Sequence, residues 1–318
     1  MATLLYLVIP CYNEEQVLPV TAQRLRKKLE ELRQRGVTDP RSRICFVDDG
    51  SKDRTWELIA ELHEKDPVFS GIKLSRNRGH QNALLCGLMT LKDRAECIIS
   101  MDADLQDDID AIDGMLEKFA AGCDVVYGVR MDRKTDGALK RMTAEGYYRL
   151  LKRMGAEVVF NHADFRLLSR RALDALAEYG EVNLFLRGIV PMLGFKSDVV
   201  YYARAERFAG KSKYSPKKML GLAWEGITSL SIRPIRIVTA LGAMVTLAGL
   251  VLFLLLLIWL CIGHPRPDWG LIVASVWTVG GLQMVAVGVV GEYVGKTYLE
   301  SKARPRYITE CVLDDRAS

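Results

Sequence analysis

Two aspartates separated by one residue, Asp102 and Asp104, directly follow an apolar run at residues 97–101. At the end of a strand, two carboxylates with this spacing can converge on one ion. Carboxylate oxygens in small number, with room left for water and phosphate oxygens, suit Mg²⁺ or Mn²⁺. Such an ion would neutralise a pyrophosphate and stabilise charge on a departing nucleotide. The pattern predicts a metal site, and the alternative is a pair of solvated loop acids.

A second acidic turn, Asp48 to Ser51, follows the apolar residues 45–47. Gly50 permits a tight turn, and Ser51 is a suitable cap for the next helix. A plain strand-to-helix turn would explain the glycine and the serine but not the acids. Carboxylates at a strand tip can accept hydrogen bonds from a base or a ribose. A third polar segment, PCYNEE at residues 10–15, adds an aromatic face at the end of the first apolar run.

Short β-rich runs alternate with longer helical patterns from residue 4 to about residue 130, which is typical of parallel strands joined by crossover helices. We expect strands within LLYLVIP, RICFVDD, SGIKLS, ECIISMDAD and DVVYGVR. We expect helices over residues 17–36, 55–65, 81–91 and 109–121. Ligands of such sheets bind beyond the carboxyl ends of the strands, and all three polar segments follow strand ends. The sequence therefore predicts an α/β domain with its site at that edge.

Composition and charge restrict the kinds of protein that this sequence can encode. The 318 residues carry a net charge of +5, with 49% hydrophobic and 26% charged residues, as expected for a packed chain. Much of the basic excess lies near the hydrophobic C-terminal third, which favours lipid headgroups or phosphates over nucleic acid as partners. Seven isolated cysteines without a CxxC pair indicate a reduced, cytosolic domain. The N-terminal apolar run lacks the basic region and cleavage site of a signal peptide.

Two charge-free runs, residues 237–263 and 269–291, are each long enough to span a bilayer core of roughly 30 Å. The short linker between the two runs predicts a transmembrane helical hairpin. The alternative is a helical hairpin that is buried in the core of the protein. Basic residues flank the outer ends, against Arg266 alone in the linker. This bias predicts a multi-pass protein of the inner (cytoplasmic) membrane, with the α/β domain and both termini cytosolic.

Two further segments, residues 137–155 and 216–232, have helical spacing with a basic face. We expect the second to lie along the membrane, while the first fits either a solvated or a membrane-surface helix. Gly291 and Gly295 form a GxxxG pattern compatible with a homo-oligomer. The expected divisions are residues 1–210 for the cytosolic domain, 211–234 for an acceptor loop and juxtamembrane helix, 235–294 for two transmembrane helices and 295–318 for a cytosolic C-terminal tail.

The motifs PCYNEE, VDDGSKDRT, LSRNRGHQNAL and DADLQDD, in this order and spacing, resemble glycosyltransferase family 2, the inverting enzymes of the GT-A (Rossmann-like) fold. HADFRLLSRRAL, RFAGKSKY and the two apolar C-terminal runs resemble the polyprenyl-phosphate glycosyltransferases, which include dolichol-phosphate mannose synthase and bactoprenol glucosyltransferases. The resemblance covers nearly the whole chain. Two residues depart from the pattern: Arg78 stands where an aromatic residue is frequent, and Asp108 where a proline is usual.

The resemblance implies roles for individual residues. The nucleotide-binding set is Pro10, Tyr12, Glu14, Asp49, Arg76 and Asp102. The metal set, for Mg²⁺ or Mn²⁺, is Asp102, Asp104 and Gln106. The acceptor-phosphate set is Arg207, Ser212 and Lys213. Asp104 and Asp164 are the expected catalytic residues, and Asp164 removes a proton, orients the acceptor or stabilises positive charge that develops on the sugar.

The implied reaction is inverting transfer of a hexose from a nucleotide-diphosphate sugar to polyprenyl (undecaprenyl) phosphate. UDP-glucose is the first expectation for the donor, with GDP-mannose, UDP-galactose, a UDP-N-acetylhexosamine or a modified pentose as alternatives. A lipid monophosphate, with a second pKa of about 6, is already largely deprotonated at neutral pH and needs little help from a base.

Three other classes of protein compete with this interpretation. A processive polysaccharide synthase would need more spans and a QxxRW motif, and a nicotinamide-dependent oxidoreductase would need GxGxxG after the first strand. A catalytically inactive membrane scaffold remains the alternative from a different class, and turnover would exclude it.

Overall fold

Strands and helices alternate along the chain, and this computed structural model describes residues 2–131, 162–182, 185–203 and 269–314, with the isolated positions 238, 244 and 262. Within these residues, eight strands form one sheet in the order β7-β5-β6-β4-β1-β2-β3-β8. The strands are β1 (Leu5–Cys11), β2 (Arg43–Asp48), β3 (Phe69–Leu74), β4 (Cys97–Ser100), β5 (Val125–Arg130), β6 (His162–Ser169), β7 (Ser197–Tyr202) and β8 (Thr309–Leu313).

Seven helices occur in the described part of the chain. They are α1 (Leu18–Gln34), α2 (Thr55–Lys65), α3 (His80–Leu91), α4 (Ala111–Ala120), α5 (Arg170–Ala177), α6 (Leu186–Met192) and α7 (Trp269–Ser301). The first five strands and first four helices confirm the predicted alternation, and the helix ends fall within two residues of those expected.

The centre of the sheet is parallel, as predicted: β1 pairs in parallel with β2 and β4, and β2 with β3. Both flanks depart from this pattern. β6 lies antiparallel between β4 and β5, and β8 runs antiparallel along β3. The sheet is therefore mixed, because strands from the later part of the chain complete it on both sides.

Helices cover both faces of the sheet, because side chains alternate between the faces along a strand. On β1, Leu7 points into a cluster with α1 residues such as Leu25, while Val8 points into an opposite cluster with α3 residues such as Leu84. All four side chains are essentially buried. An apolar layer on each face thus keeps the parallel strands in fixed positions. The loops that follow the carboxyl ends of these strands therefore start from fixed points.

The last strand ties the C-terminus of α7 to the domain. β8 pairs with β3, and the Glu300 carboxylate near the end of α7 accepts a hydrogen bond from the Val182 backbone N–H at 2.8 Å. Buried Asp314 is ion-paired with Arg43 at 3.2 Å and Arg94 at 2.5 Å. The segment predicted as a tail after residue 294 therefore includes a strand of the eight-stranded sheet.

α7 begins at Trp269, the residue at which the second apolar run begins, and extends beyond its expected end to Ser301. Among the described residues, no helix combines the length and the apolar composition that crossing a membrane requires. Most of the first run, the two basic-faced helical segments at 137–155 and 216–232, and the linker lie outside the described residues.

Candidate active site

Three polar loops meet at one edge of the sheet, because they follow neighbouring parallel strands. Cys11 at the end of β1 is in register with Asp48 of β2, and Val8 is in register with Ser100 at the end of β4. Pro10 is buried within β1, opposite Val47. The segments at 10–15, 48–51 and 102–107 therefore gather where the sequence predicted.

The loops after β1 and β2 hold each other through side chains. The Asn13 backbone N–H donates to Ser51 Oγ at 2.9 Å, and the Lys52 N–H donates to Asn13 Oδ1 at 2.8 Å. Half-buried Glu14 donates its N–H to Thr55 Oγ1 at 2.9 Å. The prediction that Ser51 caps the next helix is wrong, since α2 has no side-chain cap and Ser51 bonds the neighbouring loop.

Asp49 organises a third loop. Its buried carboxylate accepts hydrogen bonds from the backbone N–H groups of Arg78 at 2.7 Å and Gly79 at 2.9 Å. Gly50 has a φ of +64°, and a Cβ there would lie 2.5 Å from the backbone carbon of Arg76, whose side chain is exposed. Because Arg78 acts here through its backbone, its departure from the family pattern leaves this contact intact.

Tyr12 is half-buried in the loop after β1, on the same sheet edge as Asp49 and Glu14. Burial raises the pKa of the Asp49 carboxyl, although the two backbone donors oppose the shift. The predicted nucleotide-binding residues thus share one edge of the sheet, as the sequence predicted, while their roles stay predictions.

Asp102 and Asp104 lie in the turn after β4, hereafter the Asp102 turn (residues 102–107). Asp102 is 32% exposed at its side chain, and Asp104 Oδ1 accepts a hydrogen bond from the Gln106 N–H at 3.2 Å. Leu105 adopts a φ of 55°, a left-handed conformation that is rare for a bulky residue and frequent at functional sites. Burial, with the nearby carboxylates of Asp107 and Asp164, raises the pKa of Asp102 to about 6, and His80 opposes that rise.

Asp107 anchors the far end of the same turn. Its Oδ1 accepts hydrogen bonds from the Tyr202 hydroxyl at 2.5 Å and from Arg130 Nη2 at 2.9 Å. Its Oδ2 is buried and has no hydrogen-bond partner among the described residues. In the described part of the chain, the turn thus contains a buried carboxylate oxygen that no donor satisfies, which fits a bound cation.

A second acidic centre lies on the neighbouring strand β6. Asp164 is buried, and its Oδ1 accepts hydrogen bonds from Arg166 Nη2 at 2.5 Å and Arg187 Nε at 3.2 Å. Its Oδ2 accepts from Arg187 Nη2 at 3.0 Å and lies 3.5 Å from His80 Nε2. We call these four residues, Asp164, Arg166, Arg187 and His80, the Asp164 cluster.

Contacts within the Asp164 cluster shift the pKa values of its members. Burial would raise the pKa of Asp164, but Arg187, His80 and Arg166 hold it well below its usual range. Burial would lower the pKa of His80, yet the hydrogen bond to Asp164 and the charge of Asp102 raise it. His80 Nε2 also lies 3.5 Å from Asp102 Oδ1, so it links the cluster to the Asp102 turn.

No pattern in the sequence predicted a role for His80, Arg166 or Arg187. The position of Arg166 could have been inferred from the sequence. It stands two residues after Asp164, and residues two apart on a strand lie on the same face. The sequence indicates His80 less strongly, because only its position after a glycine at the start of a helix marks it. Arg187 follows Asp164 by more than twenty residues, and only the fold reveals its contact.

The residues expected to bind the acceptor phosphate, Arg207, Ser212 and Lys213, lie outside the described residues. Within the described ranges, no group of three or more His, Cys, Asp or Glu side chains is arranged to hold a metal ion. A metal at the Asp102 turn would therefore complete its coordination with oxygens from Gln106, water or a substrate.

Sequence relatives are consistent with this site. The pattern of the family described as Glycosyl transferase family 2 matches residues 6–177, more than half of the chain. An uncharacterized glycosyltransferase of Bacillus subtilis, YkoT, is 49% identical over 95% of this chain and 90% of its own length. The bactoprenol glucosyl transferase of Shigella phage SfV is 40% identical over 95% of this chain and 96% of its own length.

One solved structure shows a distant likeness. Glucosyl-3-phosphoglycerate synthase from Mycobacterium tuberculosis, in complex with Mn²⁺, UDP-glucose and phosphoglyceric acid, aligns with a TM-score of 0.45 and 16% identity, covering 72% of this chain and 78% of that chain. A likeness this distant carries no conclusion about the substrate. The family match over residues 6–177 and the two full-length relatives establish the family without this structure. The chain belongs to glycosyltransferase family 2 and is a glycosyltransferase.

Proposed function

We propose that this glycosyltransferase transfers a hexose, with UDP-glucose as the first donor, to a polyprenyl phosphate with inversion, giving a polyprenyl-phosphate sugar and a nucleoside diphosphate. The observation that carries the proposal is the alignment with the bactoprenol glucosyl transferase, which continues well past the family domain to cover 95% of the chain. The C-terminal part, where a lipid acceptor would be met, is therefore shared with a protein named for such an acceptor.

The Asp102 turn supports metal dependence. Asp102 and Asp104, with Gln106, would hold Mg²⁺ or Mn²⁺, because this turn has hard oxygen donors and, at Asp107, a buried carboxylate oxygen that no described residue hydrogen-bonds. When bound, such an ion neutralises the pyrophosphate and stabilises charge on the departing nucleotide. The raised pKa of Asp102, about 6, still leaves it ionised at neutral pH.

The chain's own residues would bind the donor and align the reactants. Asp49 and the loops it holds would contact the nucleoside, and the acceptor phosphate oxygen would attack the anomeric carbon in line with the departing diphosphate. One C–O bond forms as the other breaks, so an α-linked donor gives a β-linked product. The phosphate dianion carries no proton to remove, since its second pKa is about 6.

We also propose that residues 237–263 and 269–291 anchor the protein as a hairpin in the cytoplasmic membrane. The contacts of Glu300 and β8 hold the end of α7 against the domain, which supports both outer ends of the hairpin being on the catalytic side. The domain would then meet polyprenyl phosphate and membrane lipids at the cytosolic face. Labelling of single cysteines placed at residues 266 and 303 in intact cells tests this topology, since only the first should be accessible from outside.

The reaction is tested by offering radiolabelled UDP-glucose, GDP-mannose, UDP-galactose and UDP-N-acetylglucosamine to the purified protein with undecaprenyl phosphate in detergent. We expect a chloroform-extractable product from UDP-glucose that a chelator abolishes and Mg²⁺ or Mn²⁺ restores. A product from another donor would change the sugar while keeping the class. Nucleotide binding without any lipid product would favour the inactive scaffold.

A further inference from the structure

The Arg78 side chain is half-buried, yet it makes no hydrogen bond or ion pair with any residue that the structure describes. Its Nε is buried without a hydrogen-bond partner among those residues. A buried donor without a partner disfavours the folded state, so native proteins rarely keep one without a function. An unpaired guanidinium at the edge of the sheet where ligands bind is therefore suited to an anionic ligand.

The loop that carries this side chain is held in place. The Asp49 carboxylate accepts a hydrogen bond from the Arg78 N–H at 2.7 Å, and Asn82 Nδ2 donates to the Arg78 carbonyl at 2.8 Å. At the start of the same loop, the Ser75 N–H donates to the Ile308 carbonyl at 3.0 Å. The backbone of Arg78 is thus fixed by its neighbours, while its guanidinium is not.

The same loop lies between the two groups of acids expected to bind the donor. Burial raises the pKa of Asp49 and of Asp102, and the charge of His80 opposes the rise at both. His80 follows Arg78 by two residues, and its Nε2 lies 3.5 Å from Asp102 Oδ1. The loop therefore extends from the Asp49 carboxylate towards the Asp102 turn.

Carboxylates dominate this edge of the sheet. They belong to the end of β2, the residue after it and the Asp102 turn, namely Asp48, Asp49, Asp102, Asp104 and Asp107. The diphosphate of a sugar nucleotide adds negative charge, which these acids repel. A guanidinium reduces that repulsion, and its planar N–H groups match two phosphate oxygens.

We propose that Arg78 binds the diphosphate of the sugar-nucleotide donor. This inference rests on the proposed function for the class of donor. It depends on neither the base nor the sugar, because the nucleotide sugars considered as donors share the diphosphate. An aromatic side chain, which is frequent at this position in the family, cannot make the same contact, so the arginine distinguishes this chain.

The test measures nucleotide binding by the full-length protein in detergent. Calorimetry with UDP and with UMP, in chelator and in Mn²⁺, gives the Kd of the wild type, Arg78→Gln and Arg78→Lys. The matched control is Lys52→Gln, because Lys52 is exposed in the loop after β2 and its loss removes the same charge from the same edge of the sheet. Titrations with GDP and GMP repeat the comparison for the alternative base.

We expect Arg78→Gln to bind the diphosphate about 10- to 100-fold more weakly, the range for a lost hydrogen bond to a charged group. Binding of the monophosphate should weaken about tenfold less than binding of the diphosphate. Arg78→Lys should recover part of the loss, since it keeps the charge without the planar donors. Lys52→Gln should match the wild type. Unchanged diphosphate binding, an equal loss for the monophosphate, or the same effect in the control would each overturn the inference.

Unfolding by denaturant separates ligand binding from a structural role. Arg78→Gln should be as stable as the wild type or more stable, because it removes a buried donor that has no partner among the described residues. A loss of stability that accompanies the weaker binding would overturn the inference.

The lipid-transfer assay distinguishes this inference from the proposed reaction. A lipid product from the wild type, with normal UDP and GDP binding by Arg78→Gln, would overturn the role of Arg78 and leave the reaction intact. The expected changes in binding without any lipid product would count against the reaction alone. No binding of either diphosphate by the wild type would overturn both.

Discussion

Two acidic centres, the Asp102 turn and the Asp164 cluster, lie on either side of His80 and differ in the balance of charge around them. Asp102 is surrounded by other carboxylates, with His80 as a positive neighbour, and its pKa is raised to about 6. Asp164 is held by Arg166 and Arg187 as well as His80, and its pKa is well below the usual range. The same side chain is thus short of positive charge at one centre and saturated with it at the other.

This difference assigns different tasks to the two centres. A carboxylate that lacks positive partners can accept a cation, whereas a carboxylate already engaged by arginines can only hold those arginines in position. In the proposed reaction, the Asp102 turn would hold a metal ion at the diphosphate end of the donor. The Asp164 cluster instead keeps Arg166 and Arg187 in fixed positions close to the Asp102 turn.

The sharpest contrast is expected in stability. Asp164→Asn removes the counter-charge of buried Arg166 and should cost about 3 kcal/mol of unfolding free energy at pH 7, because one member of a buried pair is left alone. The low folded pKa of Asp164 means that this stabilisation is present at pH 7 and is lost as pH falls. Asp102→Asn should be neutral or stabilising, since folding raises the pKa of Asp102 and its ionisation at pH 7 disfavours the folded state.

Denaturant unfolding of the two variants and the wild type, in the same detergent, measures this contrast. Equal losses of stability would mean that both carboxylates are structural and would remove the distinction between the centres.

The turnover rate should also distinguish the Asp102 turn from the Asp164 cluster. Asp104→Asn is expected to lower kcat about 10²- to 10³-fold with little change in stability, since several kcal/mol of charge stabilisation are lost with the metal. The comparison protein is Asp108→Asn, which removes a nearby charge outside the expected metal set. Full activity in Asp104→Asn, assayed with Mg²⁺ and with Mn²⁺, would refute the metal assignment.

A smaller effect is expected from pH. Mn²⁺ affinity should fall about tenfold for each pH unit below 6, because protonation removes Asp102 as a ligand, and should level off above pH 7. Titration of Mn²⁺ by electron paramagnetic resonance between pH 5 and 8 measures the curve, and a flat curve would contradict the environment described for Asp102.

Local patterns were sufficient to predict much of the fold. The strand ending in Ser100 and the helix over 55–65 are marked by apolar runs and periodicity, which depend only on neighbouring residues. The antiparallel strands β6 and β8 were not predicted, because their pairing partners lie far away along the chain. The role of Ser51 was predicted wrongly for the same reason, since its Oγ accepts a hydrogen bond from the backbone N–H of Asn13 on another loop and does not cap the helix.

By itself, the sequence determined the family, the α/β alternation and the carboxylates at the end of β2 and after β4, because residue type and spacing are properties of a continuous chain. Only the tertiary structure decided what those carboxylates can do. Arg187 meets Asp164 through bonds at 3.2 and 3.0 Å across a gap in sequence that no local pattern records. A pKa depends on the charges and solvent within a few ångströms in space, and folding determines which charges those are.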